Sequence, residues 1–347
     1  MGFAYQFTKQ AAEVLFHLRE FLPQETEKRN PWFAPPFVKH RLDSLQKGLK
    51  EERDTLVHLF SMEIGPHAPC LLSIVAAGNL PLVCWHDLIC CLAYAAAHPK
   101  EVTVEIKLSS KDDVLLPAFI NALAAQKKSC LEGIPVQFVK YISHNTGAIL
   151  FTGGVQAQAY YSLTFSRVPL LMRTGRTSLA LLNGDESEEE LYGLAEDCFL
   201  YFGLGCRNVS LLLVPPGYDF EPFARQVEAH FGSLLKGHKG YMNALRHARA
   251  CQTLTTEGAL TANPVPAVAW DLFVLENNAT LAPPMGTLHY LEYEEAAVAE
   301  HFIKKNRDLI QCVVGKGKTP FGQTQTPLFT DFADGLNTLE WLQKLSY

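Results

Sequence analysis

The sequence predicts an α/β protein with a parallel sheet in one lobe and a smaller α/β lobe after it. Its 347 residues are more than one hydrophobic core usually serves, which favours two domains. Hydrophobic residues make up 48% and charged residues 19%, a balance typical of a well-buried globular chain and not of a disordered one. After Pro66, short apolar runs alternate with longer amphipathic stretches, which is the pattern of strands and crossover helices.

We expect the chain to divide into three parts. Residues 1–67 have helical spacing of apolar side chains and should form a helical segment packed on the first domain. The Asn-Pro-Trp-Phe run at 30–33 should break this segment into two helical parts. The first domain should comprise residues 68–177 together with a C-terminal return, residues 318–347. Residues 178–317 should form the second domain.

Short apolar runs and amphipathic stretches predict the elements of the first domain. We expect five or six strands, mostly parallel, at residues 70–75, 102–107, 136–139, 148–151, 168–172 and 178–182. The expected helices are residues 80–97, 112–126 and 156–165.

Turn signals and apolar runs predict the rest of the chain in the same way. Ser187, followed three residues later by Glu190, makes a capping box at the start of a helix that should run toward Phe202. The other expected elements are strands at 209–214, 267–275 and 287–293, helices at 221–235 and 240–254, and a closing helix at 331–342.

Charge and composition exclude several classes of function. The formal net charge is −6 and no long basic run occurs, which disfavours binding to nucleic acid. Pro81, His86 and Asp87 interrupt the most apolar stretch, residues 80–97. A central Asp alone costs a membrane helix about 2.5–3.5 kcal/mol, so we expect a buried helix and no stable membrane insertion. The N-terminus lacks the uninterrupted apolar core of a signal peptide, and we therefore expect a cytoplasmic protein.

Cys206 is the most informative single residue. It is one of nine cysteines, an odd number without C-x-x-C pairs, which indicates reduced thiols and no metal site. A thiol becomes a nucleophile where nearby cations or backbone N–H groups favour the thiolate. Gly203 and Gly205 would let the backbone approach a substrate closely, and Arg207 adds positive charge. The alternative is that Cys206 is a buried small hydrophobe.

Three further segments at predicted strand ends could serve the same chemistry. Asn79 follows the first strand, where its amide could donate to a developing oxyanion or could cap the next helix. Lys107 and Ser109 end the second strand and could hold the ribose and phosphates of a nucleotide, although a solvated strand-end lysine is the commoner case. The run Thr152-Gly153-Gly154 offers backbone N–H groups at a helix N-terminus, which suits phosphate.

Taken in order, the strand-Ala-Gly-Asn-Leu-Pro, strand-Lys-Leu-Ser, strand-Phe-Thr-Gly-Gly and Gly-Leu-Gly-Cys segments resemble the aldehyde dehydrogenase superfamily. Further runs are similar to the acyl-CoA reductase family, which includes the fatty acyl-CoA reductase of bacterial luminescence. This second resemblance covers almost the whole chain. The runs that carry it are Asn30-Pro31-Trp32-Phe33, Gly205-Cys206-Arg207-Asn208-Val209-Ser210, Leu281-Ala282-Pro283-Pro284, Phe321-Gly322-Gln323-Thr324-Gln325 and Asp331-Phe332-Ala333-Asp334-Gly335.

The resemblance implies an aldehyde-dehydrogenase-like fold, with a Rossmann-type nucleotide-binding domain at 68–177 and a smaller catalytic domain at 178–317. It also implies a reaction, in which Cys206 attacks an acyl thioester such as an acyl-CoA and a nicotinamide hydride reduces the acyl-enzyme to an aldehyde. The Asn79 amide and the backbone N–H of Cys206 would stabilise the oxyanions. One well-placed donor contributes roughly 2.7–4 kcal/mol to such a step.

The same resemblance implies the residues that bind the cofactor. Lys107 and Ser109 would hold the nucleotide, and Thr152, Gly153 and Gly154 would line its phosphate side. An acidic residue at the end of the second strand usually accepts the 2′-hydroxyl of NAD. Residues 107–111 contain no acid, so we expect NADPH, with NADH as the alternative, because Lys111 or Ser109 could meet the extra phosphate.

One departure from the superfamily pattern bears on the reaction. Hydrolytic aldehyde dehydrogenases carry a glutamate base in an E-L-G-G stretch shortly before the cysteine. Here the corresponding residues, 173–178, read Arg-Thr-Gly-Arg-Thr-Ser and contain no carboxylate. Water would be poorly activated, which favours a thioester substrate over a free-acid product.

Two other classes of function remain open at this stage. The first is a non-redox acyltransferase or thioesterase that uses the same cysteine, and the second is a catalytically silent binding protein on the inherited fold. The luminescence relative implies a protein that donates acyl groups as a partner. The superfamily resemblance implies a homo-oligomer.

Overall fold

The computed structural model describes residues 2–60, 70–255 and 271–345. The chain forms two compact units. The first comprises residues 1–175 and 326–347, and the second comprises residues 176–325. The predicted helical residues 61–67 and the predicted strand residues 267–270 lie outside the described part of the chain.

Helices form the N-terminal part of the first unit. They are α1 (Phe3–Glu20), α2 (Glu25–Arg29), α3 (Pro35–Glu51) and α4 (Arg53–Leu59). The break predicted at residues 30–33 is present, and Pro35 at the start of α3 has a φ that suits a first helical turn. The apolar stripes of α1 and α3 are buried, with Phe7, Leu15 and Leu42 fully inaccessible.

The sheet of the first unit is parallel at every described pairing. Its strands are β1 (Leu71–Val75), β2 (Thr103–Lys107), β3 (Val136–Val139), β4 (Ala148–Thr152) and β5 (Leu170–Arg173). They lie in the order β3-β2-β1-β4-β5. The order reverses between β1 and β4, and ligands of open α/β sheets bind at the carboxyl ends of strands beside such a reversal.

The helices packed with this sheet are α5 (Trp85–Ala97), α6 (Leu115–Ala124) and α7 (Val155–Thr164). The sequence prediction started the first of them at Leu80, five residues too early. Pro81 is followed by Leu82, whose φ of 51° is incompatible with an α-helix, so residues 80–84 form turns. The prediction of α6 from Asp112 was also early, because the backbone N–H of Leu115 bonds to the Asp112 carboxylate ahead of the helix.

The second unit contains a second parallel sheet. Its described elements are β6 (Thr177–Leu181), α8 (Glu188–Phe199), β7 (Val209–Val214), α9 (Glu221–Gly237), α10 (Lys239–Thr255), β8 (Val274–Asn277), β9 (Thr287–Glu292), α11 (Ala296–Lys305) and β10 (Ile310–Val314). The strand order is β10-β6-β7-β9-β8. The strand expected at 178–182 therefore belongs to this sheet and does not complete the first one. The elements α11 and β10 were not predicted from the sequence.

Two local features of the second unit explain its boundaries. Ser187 and Glu190 form the predicted capping box of α8. The return of the chain, predicted to begin at residue 318, begins at 326. Residues 318–325 stay with the second unit because the backbone N–H groups of Gly322 and Thr324 donate to Asp197, at 2.8 and 3.0 Å.

The C-terminal residues return to the first unit. The closing helix predicted over 331–342 is only α12 (Thr338–Lys344), capped by the Asn337 side chain. A short 3-10 turn at residues 333–335 precedes it, and Asp334 there has a φ of 61°. The left-handed residue explains why the helix does not start earlier.

Candidate functional site

The predicted binding residues of the first unit share one edge of its sheet. Val75 pairs with Lys107 on one side and with Phe151 on the other, so the carboxyl ends of β1, β2 and β4 lie side by side. Asn79 follows β1, Ser109 follows β2, and the run 152–154 closes β4. This is the edge at which the strand order reverses.

The turn that carries Asn79 is built by contacts from two other segments. The Asn30 side chain, 3% exposed, donates to the carbonyl of Gly78 at 3.0 Å and accepts from the Trp32 N–H at 3.1 Å. A Cβ at Gly78 would lie 2.6 Å from Ser109 Oγ, so only glycine fits there. Asn79 itself is partly exposed. The Asn-Pro-Trp-Phe run thus holds the backbone next to Asn79.

The loop after β2 presents polar groups and one buried acid. Ser109 Oγ accepts from the Lys111 N–H at 3.2 Å, and the Lys111 side chain is exposed. Lys107 is partly exposed, and its carbonyl accepts from the Ala76 N–H at 3.1 Å. Asp112 is 6% exposed, and burial raises its pKa to about 7 although the N–H of Leu115 lowers it. The loop therefore offers an exposed cation and a carboxyl that is partly neutral near pH 7.

The β4–α7 turn has an open helix N-terminus. Gly154 occupies the N-cap position of α7, where no side chain caps the helix, and a Cβ there would meet no atom within 4 Å. A Cβ at Gly153 would instead lie 2.6 Å from Cζ of Phe151. Because the first N–H groups of a helix attract anions, this uncapped end with open space before it fits a phosphate group.

Cys206 belongs to the second unit and lies in the turn between α8 and β7. Its side chain is exposed, so it is not the buried hydrophobe that was the alternative. The turn begins with three residues in the left-handed region: Tyr201 (φ 56°), Phe202 (φ 58°) and Gly203 (φ 73°). For a non-glycine residue this conformation costs about 1–2 kcal/mol. Packing holds it in place here, since the Phe202 ring lies 4.3 Å from that of His238.

Asn208 organises the same turn from inside. It is 2% exposed, and its Oδ1 accepts from the Gly205 N–H at 2.8 Å. Its Nδ2 donates to the carbonyls of Asp197 and Leu200, both at 3.0 Å. One buried amide therefore links the end of α8 to the residue that precedes Cys206.

Ser178 at the start of β6 supports the turn from the other side. Its Oγ donates to the Cys206 carbonyl at 3.0 Å and lies 3.0 Å from the sulfur of Cys312. Burial raises the pKa of the Cys312 thiol, while Arg207 lowers it. Cys312 is thus held as a neutral thiol. Of the two cysteines that Ser178 contacts, Cys206 is the exposed one.

Arg173 begins residues 173–178. The resemblance matches this stretch to the one that carries the glutamate base in hydrolytic aldehyde dehydrogenases. Arg173 places its Nη2 3.1 Å from Oδ1 of Asp87, and it also donates to Thr338 Oγ1 at 2.8 Å and to the Ala333 carbonyl. Burial alone would raise the pKa of Asp87, but Arg173 and His86 lower it to about 2. The arginine therefore neutralises a buried charge and links β5 and α5 to the C-terminal residues.

The sequence identified the side chains that face solvent at these turns better than those that support them. Asn208, Ser178 and Asp197 were not predicted to be site residues, although Asn208 lies in the run 205–210 and Ser178 in the run 173–178. A buried amide two residues after a predicted nucleophile is a signal that could have found the first of them. The roles of the predicted site residues remain predictions.

Neither a metal-binding cluster nor a membrane-spanning helix occurs among the described residues. No group of three or more His, Cys, Asp or Glu side chains there is arranged to hold a metal ion. No helix in the same residues has both the length and the apolar composition that a membrane span needs.

Comparisons with known proteins identify the fold. No protein-family profile and no curated protein sequence matches the chain. Among solved structures, a mutant of aldehyde dehydrogenase C from Pseudomonas syringae in complex with NAD+ and octanal matches with a TM-score of 0.62 at 12% identity, over 90% of this chain and 71% of that one. Aldehyde dehydrogenase 21 from Physcomitrella patens, in complex with succinate, gives 0.59 at 12% identity over 100% and 85%.

An NAD-dependent benzaldehyde dehydrogenase from Corynebacterium glutamicum gives a TM-score of 0.56 at 14% identity, over 86% of this chain and 73% of that one. Similarity at this level of identity is evidence of fold alone. It confirms the predicted architecture, whereas the closer resemblance to acyl-CoA reductases rests on the sequence runs. The chain has the fold of the aldehyde dehydrogenases, with a parallel β-sheet in each of its two α/β units.

Proposed function

We propose that this protein reduces an acyl thioester, such as an acyl-CoA, to the aldehyde with NADPH through a covalent thioester on Cys206. The observation that carries the proposal is an exposed cysteine on a rigidly supported turn, in a chain with the aldehyde dehydrogenase fold. Three of the solved structures it resembles are described as NAD+ complexes or as an NAD-dependent enzyme, which favours nicotinamide redox chemistry.

In the proposed reaction the Cys206 thiolate attacks the acyl carbonyl, and the C–S bond to CoA breaks as CoA leaves with a proton. When bound, the cofactor would supply the hydride that reduces the acyl carbon. Hydride addition would leave a thiohemiacetal oxyanion, which re-forms the carbonyl as its bond to Cys206 breaks, so that the aldehyde leaves and the thiolate is regenerated. The Cys206 N–H would donate to the oxyanions, the role that the resemblance also implies for the Asn79 amide. The net change is acyl-CoA, NADPH and a proton to aldehyde, NADP+ and CoA.

The first unit contains groups suited to the cofactor. The uncapped N-terminus of α7, with open space at Gly154, would hold the phosphates. Lys107 and Ser109 would hold the ribose side, and the exposed Lys111 would meet the 2′-phosphate. Lys111→Glu should therefore lower the ratio of NADPH to NADH use about tenfold, because one charge-assisted contact is replaced by repulsion. Lys127→Glu, another exposed lysine in the same unit, should leave that ratio unchanged in steady-state assays.

The residue at the end of β5 favours reduction over hydrolysis. Arg173 is buried in its ion pair with Asp87 and cannot act as a base for water. Without an activated water, the acyl-enzyme would survive long enough for hydride transfer or for exchange with CoA. A free acid should therefore be a minor product.

The decisive experiment incubates the protein with acyl-CoAs of several chain lengths and either nicotinamide, and follows NADPH oxidation, CoA release and the mass of the Cys206 peptide. We expect all three signals from the native chain and none from Cys206→Ala. Cys251→Ala is the matched control, since Cys251 is also exposed. CoA release that does not depend on NADPH would indicate a transferase or thioesterase. The absence of all three signals with every acyl-CoA would indicate a binding protein.

We further propose that the acyl group arrives as a CoA thioester or on an acyl-donor protein, that the chain assembles as a homo-oligomer, and that it works in the cytoplasm. Sedimentation at several protein concentrations tests the assembly, because a homo-oligomer would dissociate on dilution.

A further inference from the structure

A groove of about 550 Å³ lies between α1 and α3 on the first unit, and none of its lining residues belongs to the sheet edge described above. The two helices run antiparallel, because the Gln46 side chain donates to the Ala12 carbonyl at 2.9 Å and Arg19 Nε donates to Asp43 Oδ1 at 2.8 Å. The groove belongs to no part of the proposed reaction.

One end of the groove is cationic. Lys9, Lys50 and Arg53 line it there, in a protein whose formal net charge is −6. Lys47, one turn away on α3, pairs with Glu51 at 3.9 Å. Among the described residues no carboxylate makes such a pair with Lys9 or Lys50, and both side chains are exposed. Three cations are thus concentrated at one end, and the described part of the chain supplies no neutralising partner for two of them.

Beyond these cations the groove has an apolar floor and one exposed ring, together with the polar side chains of His17 and Gln46. Phe16 lines it with 49% of its surface exposed, and Ala12 and Leu49 form its floor. Glu13 is the one carboxylate among the lining residues, one helical turn beyond Lys9. Lys9 and Phe16 are seven residues apart on α1, which corresponds to about 10 Å along the helix.

We propose that this groove binds a single-chain amphiphile with an anionic head, such as a fatty acid. The carboxylate would lie between Lys9, Lys50 and Arg53, where charge-assisted hydrogen bonds are available. The alkyl tail would follow the groove toward Phe16 over the apolar floor. The ligand class follows from this lining, because a neutral lipid would leave the cations unused and a small anion would leave Phe16 and the apolar floor unused.

The test uses isothermal titration calorimetry with decanoate, decanol and decyltrimethylammonium, each below its micellar concentration. The three share a tail and differ in head charge. We expect decanoate to bind at least about tenfold more tightly than the other two, and its affinity to fall between 50 and 500 mM salt, as screening requires. Equal affinity for the three probes would overturn the proposal.

Charge and tail variants locate the site. Lys9→Glu with Lys50→Glu should weaken decanoate binding at least about tenfold, and Lys9→Arg with Lys50→Arg should retain it. Lys39→Glu, an exposed lysine on α3 outside the groove, is the matched control and should bind normally. Phe16→Ser should weaken decanoate more than hexanoate, whose tail ends before that ring.

Two further outcomes distinguish a fatty-acid site on this groove from the proposed active site and from a dimer interface. Cys206→Ala should bind decanoate as the native chain does, because the groove is independent of the proposed reaction. If decanoate fails to bind and Phe16→Ser instead changes the oligomeric state in sedimentation experiments, the groove is covered by a second copy of the chain and the proposal is wrong.

Discussion

At the scale of single residues, the turn of Cys206 depends on one buried amide. The Asn208 side chain pairs with three backbone groups beside a left-handed bend. An aspartate at this position would keep the acceptor for Gly205 but would place a carboxylate against the carbonyls of Asp197 and Leu200. Because the position is buried, exchanging the amide NH2 for a carboxylate oxygen should cost a large amount of stability.

We therefore expect Asn208→Asp to destabilise the second unit by about 2–4 kcal/mol and to change the reactivity of Cys206. The measurement is the rate of iodoacetamide alkylation of Cys206 as a function of pH, with urea unfolding as a separate readout. Asn243→Asp is the control, because Asn243 is exposed on α10 and its Oδ1 accepts from Arg246 at 3.0 Å. A native alkylation profile in a folded Asn208→Asp protein would show that the amide does not position the thiol.

The charge pair of Arg173 and Asp87 gives a second prediction at this scale. Removing either partner leaves a buried charge without its main counter-charge, so Arg173→Met and Asp87→Leu should each lower stability by about 3–5 kcal/mol. The double variant should be less destabilised than the sum of the two, because no charge remains buried. Strict additivity in urea unfolding would contradict a direct ion pair.

These residues show what local sequence can and cannot reveal. The glycines around Cys206 signalled a turn, and the structure places the thiol in an exposed one. The partners of Asn208 are carbonyls eight and eleven residues earlier, and those of Arg173 lie 86 and 165 residues away. No periodicity or spacing rule connects such distant groups, so the supports of the site required the fold.

At the scale of elements, the β4–α7 turn separates two roles of adjacent glycines. Gly153 has no room for a side chain because the Phe151 ring lies where its Cβ would be, whereas Gly154 has open space. Only the space beside Gly154 can be occupied by a ligand. The two positions differ by one residue and should respond to the same substitution in opposite ways.

Gly153→Ala should destabilise the first unit by about 1–3 kcal/mol, through overpacking against Phe151. Gly154→Ala should leave the urea midpoint unchanged and weaken NADPH binding, because its methyl group would occupy the space before the α7 N-terminus. Fluorescence titration with NADPH measures the second effect. Unchanged affinity in Gly154→Ala would place the phosphates elsewhere.

Element boundaries were predicted well where the signal was local and poorly where it was not. The Ser187 and Glu190 side chains define the start of α8, and both lie within one turn of it. The start of α5 was placed at Leu80 because the apolar run continues through Leu82, and hydropathy does not reveal the left-handed φ of that residue. The assignment of β6 to a second sheet depends on pairing with β7 and β10, which no single segment encodes.

At the scale of the whole molecule, each unit contains a buried aspartate whose pKa is raised. Burial raises the pKa of Asp112 to about 7 in the first unit and that of Asp197 to about 6 in the second, although the Thr324 hydroxyl lowers the latter. In an unfolded chain both groups titrate near 3.9. Between about pH 4 and 7 the folded chain therefore binds more protons than the unfolded chain, and its stability falls as the pH rises.

We expect the first unit to be about 2 kcal/mol less stable at pH 7.5 than at pH 5.5 because of Asp112, and the second about 1 kcal/mol less stable because of Asp197. Asp87 does not oppose this change, since its pKa is about 2 and the stability it contributes is lost only below about pH 4. Urea midpoints at the two pH values measure the difference, and Asp112→Asn and Asp197→Asn should each flatten one part of it. A native midpoint that is equal or higher at pH 7.5 would mean that both carboxylates are charged at little cost, and that the fold solvates them better than their burial implies.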